Sequence, residues 1–195
     1  MKTKIFKGIL IAAIGLFAYC GTTTAQDAYN DGCTNATLHG AYAFRISGEI
    51  FVPNTSTNPP TPTTSIMAYR DGVAITHFRG DGTLSQADFV MGNGQTPAQQ
   101  TPPPDPKDID PTTGFSTGEK GTYEVYPDCT GKATINFPPP LGMDSGNQIT
   151  LMFVIANGGR TLHTIVSALT LYNGHKAFPN IHSDAERLEP IEDRR

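Results

Sequence analysis

The stretch Ile149-Thr-Leu-Met-Phe-Val-Ile-Ala156 (ITLMFVIA) is apolar on both faces of an extended chain. Side chains of a β-strand alternate between the two faces of a sheet, so a strand without a polar face is shielded from water on both sides. A run this short, bounded by turn residues, suits a strand better than a helix. We therefore predict a strand in the middle of a β-structure rather than at a wet edge.

The segments on either side of this strand alternate between apolar and polar residues, which is typical of half-buried strands. Turn residues such as Arg79-Gly80-Asp81-Gly82 and Asn157-Gly158-Gly159 join consecutive segments as hairpins. A further turn is predicted at Asp71-Gly72. The predicted strands cover residues 38–47, 65–70, 73–78, 83–91, 121–126, 132–137, 148–156 and 161–172.

Consecutive hairpins and a doubly buried strand together favour one closed architecture. An antiparallel up-and-down barrel of about eight strands leaves no exposed strand edge, which makes it the first choice. A two-sheet β-sandwich is the alternative. Only Ser183 to Ile191 has a helical pattern, with Ser183 as a possible N-cap, Glu186 at the capping-box position and Pro190 as a stop. The sequence predicts an all-β domain with a short C-terminal helix.

Residues 1–25 have the features of a secretory signal peptide. Lysines precede an apolar stretch at residues 8–19, which is too short to span a bilayer as a helix. Small residues around Ala25 suit cleavage there, which leaves residues 26–195 as a single domain. The predicted location is secreted or periplasmic. The alternative is a lipoprotein anchored through Cys20, although Tyr19 is bulky for the residue before a lipidated cysteine.

Two cysteines, Cys33 and Cys129, remain beyond the predicted signal peptide. An even number of cysteines in an exported chain suggests a disulfide. Such a bond would connect the start of the first strand with the turn between two later strands. Two buried free thiols are the alternative, and no metal site is expected, because neither cysteine has a potential ligand at the spacing of a zinc motif.

Most of the prolines lie in three stretches, at residues 53–62, 97–111 and 138–140. Proline cannot donate a hydrogen bond to a strand ladder, so these stretches are interpreted as connections. The connection at residues 92–119 is unusually long for a compact domain and has no hydrophobic period. We expect it to be a mobile loop.

Three segments carry a resemblance to a known group of proteins: Cys33–Phe44 (CTNATLHGAYAF), His77–Ser85 (HFRGDGTLS) and Gly121–Thr134 (GTYEVYPDCTGKAT). They resemble the patterns CxxxxLxGxYxF, FxGxGxxS and GxYxVxxDCTG of uncharacterised exported bacterial proteins. At the level of fold, that group is similar to calycin-like or allene-oxide-cyclase-like small barrels. The resemblance implies a small exported barrel and transfers no activity and no catalytic residue, because fold alone does not define function.

The candidate ligand-binding residues are those expected to face the interior of the barrel. Tyr42 and Phe44 share an aromatic face of the first strand, and Phe153 belongs to the doubly apolar strand. Asp88 shares its face with Leu84, which makes it the most plausible inward-facing acid. These four residues, Tyr42, Phe44, Asp88 and Phe153, are the predicted ligand contacts.

Three carboxylates lie on predicted strands, namely Glu49, Asp88 and Glu124. Glu124 lies opposite apolar neighbours and is expected to face solvent. A buried charge needs a partner, which either Arg45 or Arg70 could supply to Asp88. The histidines on predicted strands are 39, 77 and 163, and the alternation directs His39 and His163 outward.

The net charge of −4 and the absence of a lysine or arginine cluster disfavour nucleic acid as a partner, since phosphates require basic residues. The chain contains no nucleophile-elbow, zinc-protease or phosphate-loop motif, so no catalytic residue, metal or cofactor is predicted.

Three classes of function stay open. The first is a module that binds a small apolar or mixed ligand, and the second is a cyclase- or isomerase-type enzyme with its site inside the barrel. The third is a structural or interaction protein of the cell envelope that uses the proline-rich segment 97–111 as a binding arm. The sequence does not define an oligomeric state.

Overall fold

The computed structural model describes residues 32–189, which form a closed barrel of eight strands. The predicted signal peptide 1–25 and Cys20 lie outside the described residues. No helix within residues 32–189 is long and apolar enough to cross a membrane. The strands are β1 (His39–Asn54), β2 (Thr61–Arg79), β3 (Thr83–Gly92), β4 (Ser116–Val125), β5 (Thr130–Asn136), β6 (Gln148–Ala156), β7 (Thr161–Thr170) and β8 (Lys176–Arg187).

The strands follow one another around the barrel in chain order, and every neighbouring pair is antiparallel. The barrel closes where β1 pairs with β8, in a register that runs from Tyr42 opposite Arg187 to Phe51 opposite Phe178. The predicted all-β class and the up-and-down barrel are therefore confirmed. β6 contains the apolar stretch 149–156 and pairs on both sides, but the prediction that both of its faces are buried is wrong, because Met152 and Val154 point outward and are exposed.

The predicted C-terminal helix is wrong, because residues 183–187 belong to strand β8. Ser183 and Ala185 point inward and are buried, whereas Asp184 and Glu186 point outward. The capping signals are local. The segment lies between β1 and β7, and each of these strands offers an edge with which it can pair. Pairing with both neighbours satisfies the backbone and buries the inward side chains, which outweighs the weak helical preference.

The predicted turn at Asp71-Gly72 is also wrong, because β2 runs through it without a break. Gly72 pairs with Ile46 on β1 and with Val90 on β3. A side chain at position 72 would collide with the β3 backbone, so the glycine permits close approach of two strands instead of reversing the chain. The count of eight strands is right only because this merger offsets the missed β8.

One half of the interior is filled by large side chains. Tyr42, Phe78 and Tyr123 stack edge to face, with ring centroids 5.3 Å and 5.0 Å apart. The buried hydroxyl of Tyr123 donates to the Leu38 carbonyl at 2.9 Å and accepts from the Gly80 amide at 2.9 Å. This half is a solid hydrophobic core, and its remaining members include Leu84, Ala133, Ile155 and Leu162.

The N-terminal segment seals the packed half, and a disulfide holds it there. Cys33 is bonded to Cys129 with the α-carbons 4.9 Å apart, so the predicted pairing is confirmed. The Cys33 amide donates to the Pro127 carbonyl at 3.2 Å, and the Val125 amide donates to Asn35 Oδ1 at 2.8 Å. The bond thus ties the chain before β1 to the β4–β5 hairpin.

We predict that replacing both cysteines, Cys33→Ser with Cys129→Ser, lowers the free energy of unfolding by about 4 kcal/mol, because the bond closes a long loop in the unfolded chain. Denaturant unfolding of the oxidised protein and of the variant measures the difference. Intact-mass analysis after alkylation checks the bond itself, and two thiols that alkylate without reductant would contradict the structure.

Candidate functional site

The other half of the barrel is hollow and contains a cavity of about 250 Å³. Its walls differ in chemistry. Strands β2, β3 and β4 contribute polar and charged side chains, whereas β1 and β5 to β8 contribute mainly apolar ones. The polar wall is formed by Arg70, Gln86, Asp88, Ser116, Thr117 and Glu119, and the apolar wall includes Phe44, Ile46, Ile135, Ile149, Leu151, Val166, Leu169 and Ile181.

The proline-rich connections form the roof of the cavity. Residues 93–115 fold back over the barrel, and Gln100 Nε2 donates to the Val90 carbonyl at 2.8 Å. The Leu141 amide donates to the Pro103 carbonyl at 2.9 Å, which joins this loop to the second proline-rich connection. The loop was predicted to extend to residue 119, but it ends earlier, because β4 begins at Ser116. It was also expected to be mobile, whereas it packs against the barrel.

Three charged side chains converge from neighbouring strands of the polar wall. Asp88 on β3 and Glu119 on β4 are almost completely buried, at 6% and 1% exposure. Arg70 on β2 lies opposite Gly92, the last residue of β3. A side chain at position 92 would collide with the Arg70 guanidinium, so the glycine leaves space for this arginine beside the β3 backbone.

Burial is the main influence on the ionisation of this cluster. It raises the pKa of Asp88 to about 7, against the opposing effects of the adjacent Glu119 side chain and the charge of Arg70. Burial and the charge of Asp88 together raise the pKa of Glu119 to about 9. Burial lowers the pKa of Arg70, and the nearby Asp88 partly offsets that effect. The carboxyl pair therefore retains at least one proton at neutral pH.

Several carboxyl oxygens at the cavity have no partner among the described residues. Both oxygens of Glu119 and Oδ2 of Asp108 are buried and meet no donor in hydrogen-bonding geometry. Asp88 and Gln86 are the neighbouring side chains that influence the pKa of Glu119. Buried polar atoms are seldom left unpaired in proteins, so such atoms at a cavity mark a candidate binding site.

The predicted ligand contacts divide between the two halves of the barrel. Asp88 and Phe44 line the cavity. Tyr42 and Phe153 belong to the packed core instead, where the Tyr42 hydroxyl donates to the Gly159 carbonyl and Phe153 covers Gly131. Alternation along a strand indicates which residues face inward, but it does not indicate how far along the barrel axis each one lies.

The partners of Asp88 were only partly predictable. Arg70 lines the cavity as one of the two proposed partners, whereas Arg45 is exposed on the outer surface. Glu119 was missed because it was assigned to the end of the proline-rich loop. Counting back in steps of two from Tyr123 through Gly121 would have placed Glu119 on the inward face of the same strand.

The other titratable residues considered in the sequence lie outside the barrel. Glu124 is exposed, as predicted, and so are His39, His77 and His163. His163 Nδ1 lies 2.7 Å from Asp184 Oδ1, at hydrogen-bond distance on the outer surface between β7 and β8. These histidines cannot act on a molecule in the cavity.

Comparison with known proteins adds no assignment to this picture. No family model matches the chain, and no curated protein matches its sequence.

We predict that Glu119→Gln stabilises the protein at neutral and alkaline pH. The unfolded residue ionises near its ordinary pKa of 4.5, whereas the folded residue stays protonated up to about 9. Its contribution to stability is therefore fully present below about pH 4.5 and is lost as the pH rises towards 9. Glutamine does not titrate, so at about pH 8 the free energy of unfolding of the variant should exceed that of the parent by on the order of 2–4 kcal/mol.

Unfolding by denaturant at several pH values measures this effect. Glu124→Gln is the matched control, because it changes the same residue type on the same strand at an exposed position. The control should stay within about 0.5 kcal/mol of the parent at every pH. If the free energies of unfolding of the parent and of Glu119→Gln change with pH in the same way, Glu119 is not buried in its neutral form.

Proposed function

We propose that this protein is an exported binding protein that holds a small organic molecule in the hollow half of its barrel. The observation that carries the proposal is a cavity with an apolar wall facing a charged wall, beneath a roof of proline-rich loops. Ligand sites in proteins combine a mainly apolar lining with a few convergent polar groups that orient the ligand. The disulfide fits an oxidising compartment outside the cytoplasm.

The size of the cavity limits the ligand. At about 250 Å³ it is slightly smaller than the range of about 300–1,000 Å³ that is usual for drug-sized ligands. The packed half of the barrel, filled by Tyr42, Phe78 and Tyr123, leaves no room for a longer molecule. The ligand is therefore a compact molecule with one polar end and one apolar end, which match the two walls.

A cyclase or isomerase is the second candidate, and the carboxyl pair supports it. Asp88 and Glu119 have raised pKa values inside a cavity, and groups of this kind can exchange protons near neutral pH. An enzyme would lose turnover in Asp88→Asn while still binding its substrate, whereas a binding protein would show no turnover in either form.

An envelope interaction protein is the weakest of the three candidates. Its binding arm was expected to be the proline-rich segment 97–111, but Pro97, Pro102 and Pro104 of this segment line the cavity. A segment that roofs a cavity presents less of its surface to a partner. The resemblance to exported bacterial barrels of calycin-like or allene-oxide-cyclase-like fold is compatible with all three candidates and remains a prediction.

We predict that Val166→Phe weakens binding of small molecules at least tenfold, because the larger side chain extends from the apolar wall into the cavity. Ile165→Phe is the matched control, since the adjacent residue on β7 points outward and is half exposed. Native mass spectrometry and ligand-observed NMR with a library of small amphiphiles measure binding. Equal binding by the two variants would place the ligand elsewhere, and a library without a single binder would count against the proposed function.

A further inference from the structure

The charges around the cavity are unevenly matched. Its titratable groups are Arg70 on β2, Asp88 on β3, Glu119 on β4 and Asp108 in the roof, and the remaining strands contribute none. Three carboxyl groups thus face a single guanidinium. No carboxylate of the described residues lies within 4.0 Å of Arg70. Asp88 is the charged group that affects the pKa of Arg70.

The fully buried side-chain atoms without a partner at this site are all carboxyl oxygens. Both oxygens of Glu119 and one oxygen of Asp108 are buried without a hydrogen-bond donor among the described residues. Arg70 balances one negative charge, that of Asp88. A bound group that satisfies these oxygens must donate hydrogen bonds, and a positive charge on it would also offset the excess of three carboxyl groups over one guanidinium.

A metal ion is a poor occupant of this site. Within the part of the chain that the structure describes, no three side chains of histidine, cysteine, aspartate or glutamate are arranged to hold a metal. The opposite wall of the cavity, with Ile149, Leu151 and Val166, is apolar and provides no coordinating atom for a bare ion. An organic cation with a hydrocarbon body matches both walls.

We infer that the ligand is a small primary or secondary amine in its protonated form, with the ammonium group against Glu119 and Asp108 and its apolar body against the β5–β8 wall. This inference rests on the proposed function, because it names the class of ligand that the proposed cavity holds. An ammonium group provides up to three donors, which matches the three unpartnered oxygens.

Binding of such a cation is coupled to proton release. The Asp88–Glu119 pair holds at least one proton at neutral pH because burial disfavours the charged forms, and the nearby Arg70 supplies too little positive charge to offset that effect. An ammonium group supplies that charge, so the pair loses about one proton when the amine binds. Affinity should consequently rise with pH between about 7 and 9, by up to about tenfold per unit, while the amine itself stays protonated.

The test uses three probes of one chain length, hexylamine, hexanol and hexanoate, with the full-length protein. Isothermal titration calorimetry in buffers of different ionisation enthalpy gives both affinity and the number of protons released. We expect hexylamine to bind at least about tenfold more tightly than hexanol, to release about one proton, and to bind more tightly as the pH rises. Hexanoate should bind most weakly, because its carboxylate offers no hydrogen-bond donor to Glu119 and Asp108.

Glu119→Gln should weaken hexylamine binding about tenfold or more and abolish proton release, whereas the exposed control Glu124→Gln should change neither. Hexanol that binds as tightly as hexylamine, or hexanoate that binds most tightly, would overturn the inference and leave the proposed function in place. Binding of hexylamine that is unaffected by Glu119→Gln would also overturn it. Failure of all three probes, with binders found in the wider library, would reject the amine class alone.

Discussion

The pairing of β1 with β8 is the constraint on which the rest of the molecule depends. Without it the eight strands would form an open sheet with two exposed edges, and the face that now points inward would contact water. With it, alternate side chains along most of each strand point into an enclosed interior. Asp88 and Glu119 are buried because the sheet closes around them, so their unusual ionisation is a consequence of the topology.

Closure also determines where the chain can place large side chains. The packed half is filled by tyrosine and phenylalanine rings that stack edge to face, sealed by Leu38 and the N-terminal segment. The hollow half has mostly branched aliphatic side chains of medium size, which line its wall without meeting in the centre. Its opening is covered by loops and not by side chains. The division between core and cavity therefore follows from the sizes of the inward residues.

The sequence was informative wherever the signal was periodic. The apolar stretch 149–156, the hairpin turns and the cysteine pair led to the correct class, closure and disulfide, because alternation and even cysteine counts have direct physical causes. It misled where local and tertiary preferences conflict. Ser183 and Glu186 form a helix-start signal, yet two strand edges capture that segment. Asp71-Gly72 has the residue types of a turn, yet Gly72 lies within β2 and allows β2 and β3 to approach closely.

The site itself was half predictable. Asp88 was recognised because its apolar neighbours reveal an inward face, but the same pattern around Glu119 was hidden by the adjoining prolines. Which inward residues lie beside a cavity depends on the register and stagger of eight strands, and no single segment contains that information. Tyr42 and Phe44 are two residues apart on one face, and only the second reaches the cavity.

The location of the disulfide has a consequence for how such a protein can change over evolutionary time. The bond and the aromatic stack hold one pole of the barrel, while the cavity and its proline-rich roof occupy the opposite pole. Substitutions around the cavity therefore leave the disulfide and the aromatic stack intact. A scaffold that separates its covalent cross-link from its cavity can acquire new ligand preferences without first losing that cross-link.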